Sequence, residues 1–281
     1  MATPPDSPYT APTPVPRISR VSVTALAKMA AQGERIAMLT AYDASFAAIS
    51  ERAGVEVLLV GDSLGMVIQG HPTTLPVTLD EMLYHTRCVI AGCARPLVIT
   101  DLPFGSFQAG PEDAYRAGVA ALKAGAQMVK IEGGTNLAPT VEYLTTRGVP
   151  VCGHVGLGPQ SVNVLGGYKV QGKTPEDADA MVADTQRLRD AGATLVVVEC
   201  VPRALGARLT REGGLPTIGI GAGPECSGQV LVNYDALGLQ PGKPARFVKD
   251  FLAGRDGIEA AFAAFVAAVK DGSFPGPEHC F

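Results

Sequence analysis

The chain has 281 residues, of which 47% are hydrophobic, and a formal net charge of -4. This hydrophobic content is enough for one large core, whereas the low net charge and the scattered Lys and Arg residues exclude the basic surface that nucleic acids require. The longest apolar runs have the length of strands and are too short to cross a bilayer. We therefore expect a soluble protein with neither a nucleic-acid nor a membrane partner.

The beginning of the chain and the cysteines bear on domain organisation and compartment. Residues 1–17 are rich in Pro, Thr and Ser and lack the apolar centre of a secretory signal, so they are predicted to be a disordered tail. No later break in composition divides residues 18–281, which are predicted to form a single domain. The 6 cysteines include no CxxC pair, and several lie in apolar stretches. This usage indicates a reducing, cytoplasmic location.

From Ser22 onward, short apolar runs alternate with longer helical patterns. The predicted strands are Ile36 to Ala41, Val55 to Gly61, Pro96 to Asp101, Met128 to Gly133, Val149 to His154, Leu195 to Cys200, Pro216 to Ala222 and Gln229 to Tyr234. Continuous apolar strands separated by helices are typical of a parallel sheet buried on both faces, and eight such strands can close a barrel. We predict an α/β fold, a (β/α)8 TIM barrel, with an open doubly wound sheet as the alternative.

Helix boundaries carry signals of their own. Three helix starts are predicted from capping patterns: Thr78 with Glu81, Gly110 before Pro111, and Thr174 before Pro175. Three helix ends share an Ala-Gly pair that leads directly into a strand, at Gly54, Gly125 and Gly192. These glycines are expected to adopt the left-handed conformation that terminates a helix.

Charged side chains stand at or directly after the ends of successive predicted strands. They are Asp62, Asp101, Glu132, His154 and Glu199. In a barrel of parallel strands these ends share one rim, the carboxyl-terminal face on which active sites are built. The pattern therefore predicts a site at this rim.

The alternation of side chains along a strand predicts which of these residues point to the same face of the sheet. Residues two apart share a face, so Lys130 and Glu132 are predicted to point the same way. Glu199 shares its face with Val197, and a carboxylate beside apolar neighbours favours a pKa raised by desolvation. Such a group can serve as a base near neutral pH.

Three carboxylates, those of Asp62, Asp101 and Glu132, would repel one another at a single mouth unless a cation lay between them. Oxygen ligands without clustered His or Cys favour a hard ion, so Mg²⁺ is predicted and a tetrahedral zinc site is disfavoured. The alternative is that each acid caps a helix or pairs with a surface arginine.

Other candidates leave more than one interpretation open. The glycine-rich stretch Gly219 to Gly223 follows the seventh predicted strand, where barrels often bind phosphate, but close backbone packing explains it equally well. His154 either contacts substrate or is structural. Ser63 has no adjacent histidine in the sequence, which gives little support to a serine nucleophile.

Several longer stretches carry a resemblance to a known family. They include TAYDASFA, LVGDSLGMVIQG, DLPFGSF, GAQMVKIEGG, PVCGHVGLGPQSVNVLGGYKVQG and ECVP, and the similarity extends from about Val21 to the final FPGPEHCF. In these stretches the chain resembles ketopantoate hydroxymethyltransferases, the first enzymes of pantothenate biosynthesis.

The resemblance implies a role for each matching residue. It implies Mg²⁺ ligands at Asp62, Asp101 and Glu132, keto-acid contacts at Asp62, Ser63, Asp101 and Lys130, and a general base at Glu199. It also implies a homodecamer. The implied reaction transfers a hydroxymethyl group from 5,10-methylenetetrahydrofolate to 3-methyl-2-oxobutanoate and gives 2-dehydropantoate.

Two other functions stay open. A metal-dependent α-keto acid lyase of the isocitrate lyase and phosphoenolpyruvate mutase kind would also use acids at a barrel mouth. Those enzymes usually need a reactive cysteine on a mobile loop, and the region after Cys152 has no such signature. A non-catalytic barrel scaffold would keep the core but would have no use for the acids.

Overall fold

The computed structural model describes residues 19–240 and 242–281, so the predicted tail, residues 1–17, lies outside the described residues. The strands are β1 Ile36–Thr40, β2 Val57–Val60, β3 Leu97–Asp101, β4 Met128–Lys130, β5 Val151–Gly156, β6 Leu195–Glu199, β7 Thr217–Ile220 and β8 Gly228–Leu231. They form a closed barrel in sequential order, in which every neighbouring pair is parallel. This confirms the predicted TIM barrel and removes the open sheet.

The helices surround this barrel. They are α1 Val23–Ala31, α2 Ala44–Arg52, α3 Leu64–Val67, α4 Leu79–Gly92, α5 Pro111–Lys123, α6 Ala138–Thr145, α7 Val162–Leu165, α8 Pro175–Asp190, α9 Arg203–Glu212, α10 Asn233–Ala236 and α11 Ile258–Asp271. Short 3₁₀ turns occupy Thr135–Leu137, Pro159–Ser161 and Pro277–His279. Across the described ranges, no helix is both long and apolar enough to cross a membrane.

The predicted helix boundaries are confirmed. Thr78 and Glu81 form a complete capping box at the start of α4, and Thr174 accepts a hydrogen bond from Asp177 N at the start of α8. Pro111 occupies the first turn of α5 after Gly110. The three glycines that follow helices have positive φ angles: +92° at Gly54, +111° at Gly125 and +95° at Gly192.

The predicted end of the last strand is wrong. We expected it to reach Tyr234, but β8 ends at Leu231 and residues from Asn233 onward form α10. Thr40 at the end of β1 donates to Asn233 Oδ1 and accepts from Asn233 N, at 3.1 and 3.0 Å. Asn233 Oδ1 also accepts from Tyr234 N. These bonds give the backbone partners other than a strand, so the chain turns into a helix.

Alternation along the strands places the site. Side chains that fill the barrel interior include Met38, Leu59, Ile99, Met128, Val197 and Ile218. Lys130 continues the inward face of Met128, and Glu199 continues that of Val197, so both point into the mouth of the barrel. At the opposite end, Leu26 of α1 belongs to the same interior cluster. The barrel is therefore packed below the charged rim.

Candidate active site

Gly61 shapes the turn after β2. A Cβ at this position would lie 2.9 Å from Ser63 Oγ and 3.5 Å from Asp101 Oδ2. Its absence lets Asp101 approach closely enough for Asp62 N to donate a hydrogen bond to Asp101 Oδ2 at 3.1 Å. The Gly-Asp-Ser sequence therefore joins the ends of β2 and β3 at one point.

Lys130 lies among the carboxylates at the bottom of the mouth. Its Nζ is 2.9 Å from Asp101 Oδ1 and 3.8 Å from Glu132 Oε1, and only 4% of its side chain is exposed. Burial works against the charged amine, but the carboxylates of Asp101, Glu132 and Asp62 outweigh it and raise the pKa of Lys130 above its usual value. The lysine is therefore positively charged, and it is outnumbered by the carboxylates around it.

The pKa values of Asp62 and Asp101 reflect this excess of carboxylates. Burial, followed by the charges of Asp101 and Glu132, raises the pKa of Asp62 to about 8, against the opposing effects of Lys130 and Gln160. Burial also raises the pKa of Asp101, although Lys130 opposes the shift. The raised pKa values mean that Asp62 and Asp101 take up protons readily. The negative charge of the cluster is therefore not fully compensated, and an additional cation would be stabilised there.

His154 links two acids that belong to different strands. Its Nδ1 lies 3.3 Å from Glu132 Oε1, and its Nε2 lies 3.2 Å from Glu199 Oε2. Burial and Lys130 lower the pKa of His154, but the nearby carboxylates of Glu132 and Glu199 outweigh them and raise it to about 9. The two carboxylates therefore favour the charged imidazole, although Lys130 Nζ also lies 3.3 Å from His154 Nδ1 and Nε2 is not aligned for a hydrogen bond to Glu199.

Glu132 has the opposite balance from the aspartates. Burial raises its pKa, but the charge and hydrogen bond of His154, then Lys130 and the backbone N–H of Gln160, outweigh burial and lower it. Glu132 is therefore ionised, and it lines the same cavity as Lys130, the residue with which it was predicted to share a face.

Ser63 has a tyrosine partner. Its Oγ lies 2.9 Å from Tyr42 Oη, at the end of β1. Burial raises the pKa of Tyr42, so the phenol keeps its proton. Ser63 pairs with a neutral hydroxyl instead of a histidine, which agrees with the expectation that it is not a nucleophile.

Gln160 is a site residue that the sequence analysis missed. Its Nε2 donates to Asp62 Oδ2 at 2.9 Å and to Leu102 O at 3.0 Å, while its backbone N donates to Glu132 Oε2 at 3.0 Å. The neighbouring Gly158 makes room, because a Cβ there would lie 3.0 Å from Glu132 Oε2. A loop amide follows no strand periodicity and carries no charge, so neither pattern identifies Gln160 as a site residue. The one signal in the sequence is its position in a glycine-rich turn after β5.

The predicted site residues line one cavity of about 560 Å³ at the carboxyl-terminal rim: Asp62, Ser63, Asp101, Lys130, Glu132 and Glu199. His154 lines it as well. This volume lies in the range of small-molecule sites, about 300–1,000 Å³. The structure therefore brings these predicted residues together at one place.

The glycine-rich loop after β7 packs closely against its surroundings. A Cβ at Gly219 would lie 3.0 Å from Cys226 Sγ, and a Cβ at Gly206 of α9 would collide with Ala222 O. The loop connects β7 to β8 through residues 221–227, all described, without a helix. Of the two interpretations left open above, this geometry favours close backbone packing.

The acids do not form a ready-made metal site. In residues 19–240 and 242–281, no group of three or more His, Cys, Asp or Glu side chains could hold a metal ion as it stands. Lys130 Nζ and Gln160 Nε2 lie against oxygens of Asp101 and Asp62, and these groups would have to shift. Asp101 Oδ1 is nonetheless buried without a hydrogen bond from any described residue, since the amine of Lys130 is near it but not aligned. The excess of carboxylate oxygens fits a hard cation.

A closed barrel with a charged cavity at its carboxyl-terminal rim is the architecture of (β/α)8 enzymes. The family model for ketopantoate hydroxymethyltransferase matches residues 20–277. A relative from Azoarcus sp. (strain BH72), named 3-methyl-2-oxobutanoate hydroxymethyltransferase, is 59% identical over 93% of this chain and 97% of its own length. A relative of the same name from Thiobacillus denitrificans is 58% identical over 93% and 99%. The chain belongs to the ketopantoate hydroxymethyltransferase family, and the prediction of a transferase enzyme is confirmed.

Solved structures of other enzymes share the fold. Phosphonopyruvate hydrolase superposes with a TM-score of 0.58 at 15% identity, covering 78% of this chain and 84% of that one. 2,3-Dimethylmalate lyase, a PEP mutase/isocitrate lyase superfamily member, gives a TM-score of 0.55 at 16% identity, covering 79% and 81%. At such identities the likeness shows a common barrel and no common reaction.

Proposed function

We propose that this enzyme transfers a hydroxymethyl group from 5,10-methylenetetrahydrofolate to 3-methyl-2-oxobutanoate, with Mg²⁺, to give 2-dehydropantoate in the cytoplasm. The names of the relatives support the reaction. The observation that carries the proposal is that Lys130 and Glu199 line the same cavity. A keto acid needs a cation for its carboxylate and a base for the hydrogen on C3, and these residues supply both.

The chain's oxygens suit the metal that this chemistry uses. Asp62, Asp101 and Glu132 would hold Mg²⁺, as their number, burial and excess charge suggest. When bound, Mg²⁺ would act as a Lewis acid toward the keto oxygen and make the C3 hydrogen more acidic.

The remaining steps belong to side chains of the cavity. Lys130 binds the substrate carboxylate as a point charge, and Ser63 donates its hydroxyl beside it. Glu199 takes the proton from C3, and His154 keeps the receiving carboxylate oriented. The electron pair released from the C–H bond forms the new C–C bond to the methylene carbon, whose first C–N bond to the folate breaks. Water supplies the hydroxyl oxygen as the second C–N bond breaks. The two folate nitrogens take up the proton removed from C3 and one proton of the water, and tetrahydrofolate leaves.

The test is a pair of measurements on the unmodified enzyme. Deuterium exchange at C3 of 3-methyl-2-oxobutanoate is followed by NMR in D₂O, with Mg²⁺ and with EDTA, and product formation is followed after 5,10-methylenetetrahydrofolate is added. We expect Mg²⁺-dependent exchange and folate-dependent product. Cleavage of an α-keto acid without folate would indicate a lyase, and the absence of both activities would indicate a scaffold.

The assembly is a separate part of the proposal. Family resemblance supports a homodecamer, and light scattering coupled to size exclusion measures the mass directly. A mass of one or two chains would contradict it.

A further inference from the structure

The cavity has a second side, away from the residues that the proposed function assigns to the keto-acid carboxylate and Mg²⁺. The acids and Lys130 come from β2, β3 and β4, and across the closed barrel lie the ends of β7 and β8. This β7–β8 side is lined by Ile220, Val230, Val232, Asp235, Phe247 and Phe281. It is apolar apart from one carboxylate. A branched five-carbon keto acid is too small to fill a cavity of about 560 Å³, so a second ligand has room beside it.

Asp235 is the carboxylate of the β7–β8 side. Burial alone raises its pKa to about 6, and its side chain has no hydrogen-bond or ion-pair partner within the described ranges. At neutral pH it is therefore an ionised acceptor that faces the cavity. A partly buried carboxylate without a donor is well placed to take donors from a ligand.

The aromatic rings of Phe247 and Phe281 line the same β7–β8 side of the cavity as Asp235. A Cβ at Gly221, directly after β7, would lie 3.1 Å from Phe247 Cδ1 and 3.0 Å from Phe281 Cε2. Both rings therefore pack on the backbone at the end of β7, and both line the cavity. The Arg246 guanidinium lies over the Phe281 ring, 5.6 Å from its centroid. Two aromatic rings in an otherwise apolar lining suit the packing of a planar heterocycle.

The outer rim has the opposite charge. Lys169 and Lys243 line the cavity, both are exposed, and neither has an ion-pair partner in the part of the chain that the structure describes. A ligand that presents N–H donors inward and carboxylates outward would match this arrangement. A small anion such as phosphate would not suit the inner part, because Asp235 would repel it.

We propose that the β7–β8 side is the pterin subsite of the one-carbon donor, with the Asp235 carboxylate accepting from the two adjacent N–H groups of the 2-amino-4-oxopyrimidine edge. This inference rests on the proposed function. The pterin ring packs against Phe247 and Phe281, and the glutamate carboxylates of the folate reach Lys169 and Lys243. The one-carbon unit then lies between the pterin and the keto acid, on the side of Glu199.

The first experiment measures tetrahydrofolate binding by anaerobic calorimetry in the unmodified enzyme, in Asp235→Asn and in Glu142→Gln. We expect Asp235→Asn to bind about 10- to 100-fold more weakly, the scale of one or two hydrogen bonds to a charged group. Glu142 is an exposed carboxylate of α6 outside the cavity, so its variant should bind normally. Unchanged affinity in a folded Asp235→Asn would overturn the assignment.

Two fragments of the ligand localise the effect. 6-Methyltetrahydropterin has the ring without the tail, and 4-aminobenzoylglutamate has the tail without the ring. The loss in Asp235→Asn should appear for the first and be absent for the second, and an equal loss for both contradicts a pterin contact. Should the variant not fold, hydrogen exchange of the unmodified enzyme decides, because 6-methyltetrahydropterin should slow exchange in Asn233–Ala236 and no slowing would overturn the proposal.

The C3 exchange described above keeps the two proposals apart. An enzyme that exchanges C3 and forms product, but whose tetrahydropterin affinity is insensitive to Asp235→Asn, keeps its function and loses this subsite. An enzyme without exchange or product loses the proposed function itself.

Discussion

Two buried carboxylates stand at opposite ends of β2, and they differ in what surrounds them. Glu56 precedes the strand and is 5% exposed, while Asp62 follows it and is 3% exposed. Glu56 accepts from Ala37 N at 2.9 Å and pairs with Lys270 Nζ at 2.8 Å. Asp62 shares its surroundings with more carboxylates than cations. Burial of an acid is common to a structural and a functional position, and the excess of like charge marks the functional one.

The difference follows from the two ends of the barrel. At the amino-terminal end the charge is balanced by a lysine of the last helix, α11, which stabilises the fold. At the carboxyl-terminal end the imbalance costs stability and leaves groups ready to bind a ligand. The predictions that follow test this contrast, beginning with the largest expected effect.

Replacing Glu199 should have the largest effect on activity. Glu199→Gln keeps the shape of the side chain but cannot accept the C3 proton, so deuterium exchange should fall by about 10²-fold or more, the scale of general-base removal. Mg²⁺ and keto-acid affinity should stay near normal by calorimetry. As a matched control, Glu56→Gln should exchange C3 at the original rate. Exchange at that rate in Glu199→Gln would exclude Glu199 as the base.

Replacing Asp101 should weaken metal binding and activity together. Asp101→Asn removes one anionic oxygen from the cluster, and affinity for a hard cation follows the charge of its ligands, so Mg²⁺ affinity should drop on the order of tenfold or more. Isothermal titration with Mg²⁺ measures this directly, with Glu56→Gln again as the control. An unaltered Mg²⁺ affinity would remove Asp101 from the metal ligands.

Replacing Lys130 should act mainly on the keto acid. Lys130→Gln removes the cation for the substrate carboxylate, and we expect the KM for 3-methyl-2-oxobutanoate to rise about tenfold while kcat changes less. The amine also lies 2.9 Å from Asp101, so the assay is run with saturating Mg²⁺ and the fold is checked by thermal unfolding. A normal KM would point to another cation for the carboxylate.

Much of this site was accessible from the sequence, because each acid lies at or shortly after the end of a strand and parallel strand ends share one rim. Lys130 and Glu132 were placed on one face by alternation alone. The sequence could not predict contacts between residues that are far apart in the chain and lie in segments without a hydrophobic periodicity. Gln160 reaches Asp62 across 98 residues, and Asn233 reaches Thr40 across 193, which ended β8 earlier than predicted.

Asp235 is a second cavity residue that could not be predicted from the sequence. It lies in a four-residue helix and not at a strand end, and its side chain has no hydrogen-bond or ion-pair partner among residues 19–240 and 242–281, so neither alternation nor charge pairing indicates it. Its relevance depends on which residues the closed barrel brings to one cavity.

The last prediction leaves activity aside, concerns the stability of the metal-free enzyme and separates the two ends of β2 most directly. The pKa of Asp62 is raised from its ordinary 3.8 to about 8, so the folded chain binds this proton more tightly than the unfolded chain does. The stability that the proton provides is therefore lost as the pH rises from about 4 to 8. Asp62→Asn cannot titrate, and its free energy of unfolding should fall less over this range than that of the unmodified enzyme.

Urea unfolding in EDTA at pH 5, 6, 7 and 8 measures this difference, and His154 is present in both proteins and cancels. Glu56→Gln supplies the contrast, because it removes a buried charge that is paired with Lys270 and should lower the free energy of unfolding by roughly 1 kcal/mol or more at every pH of the series. Asp62→Asn should instead gain on the unmodified enzyme as the pH rises. Parallel pH curves for Asp62→Asn and the unmodified enzyme would mean that Asp62 is as well compensated as Glu56, and the contrast between the two ends of β2 would not hold.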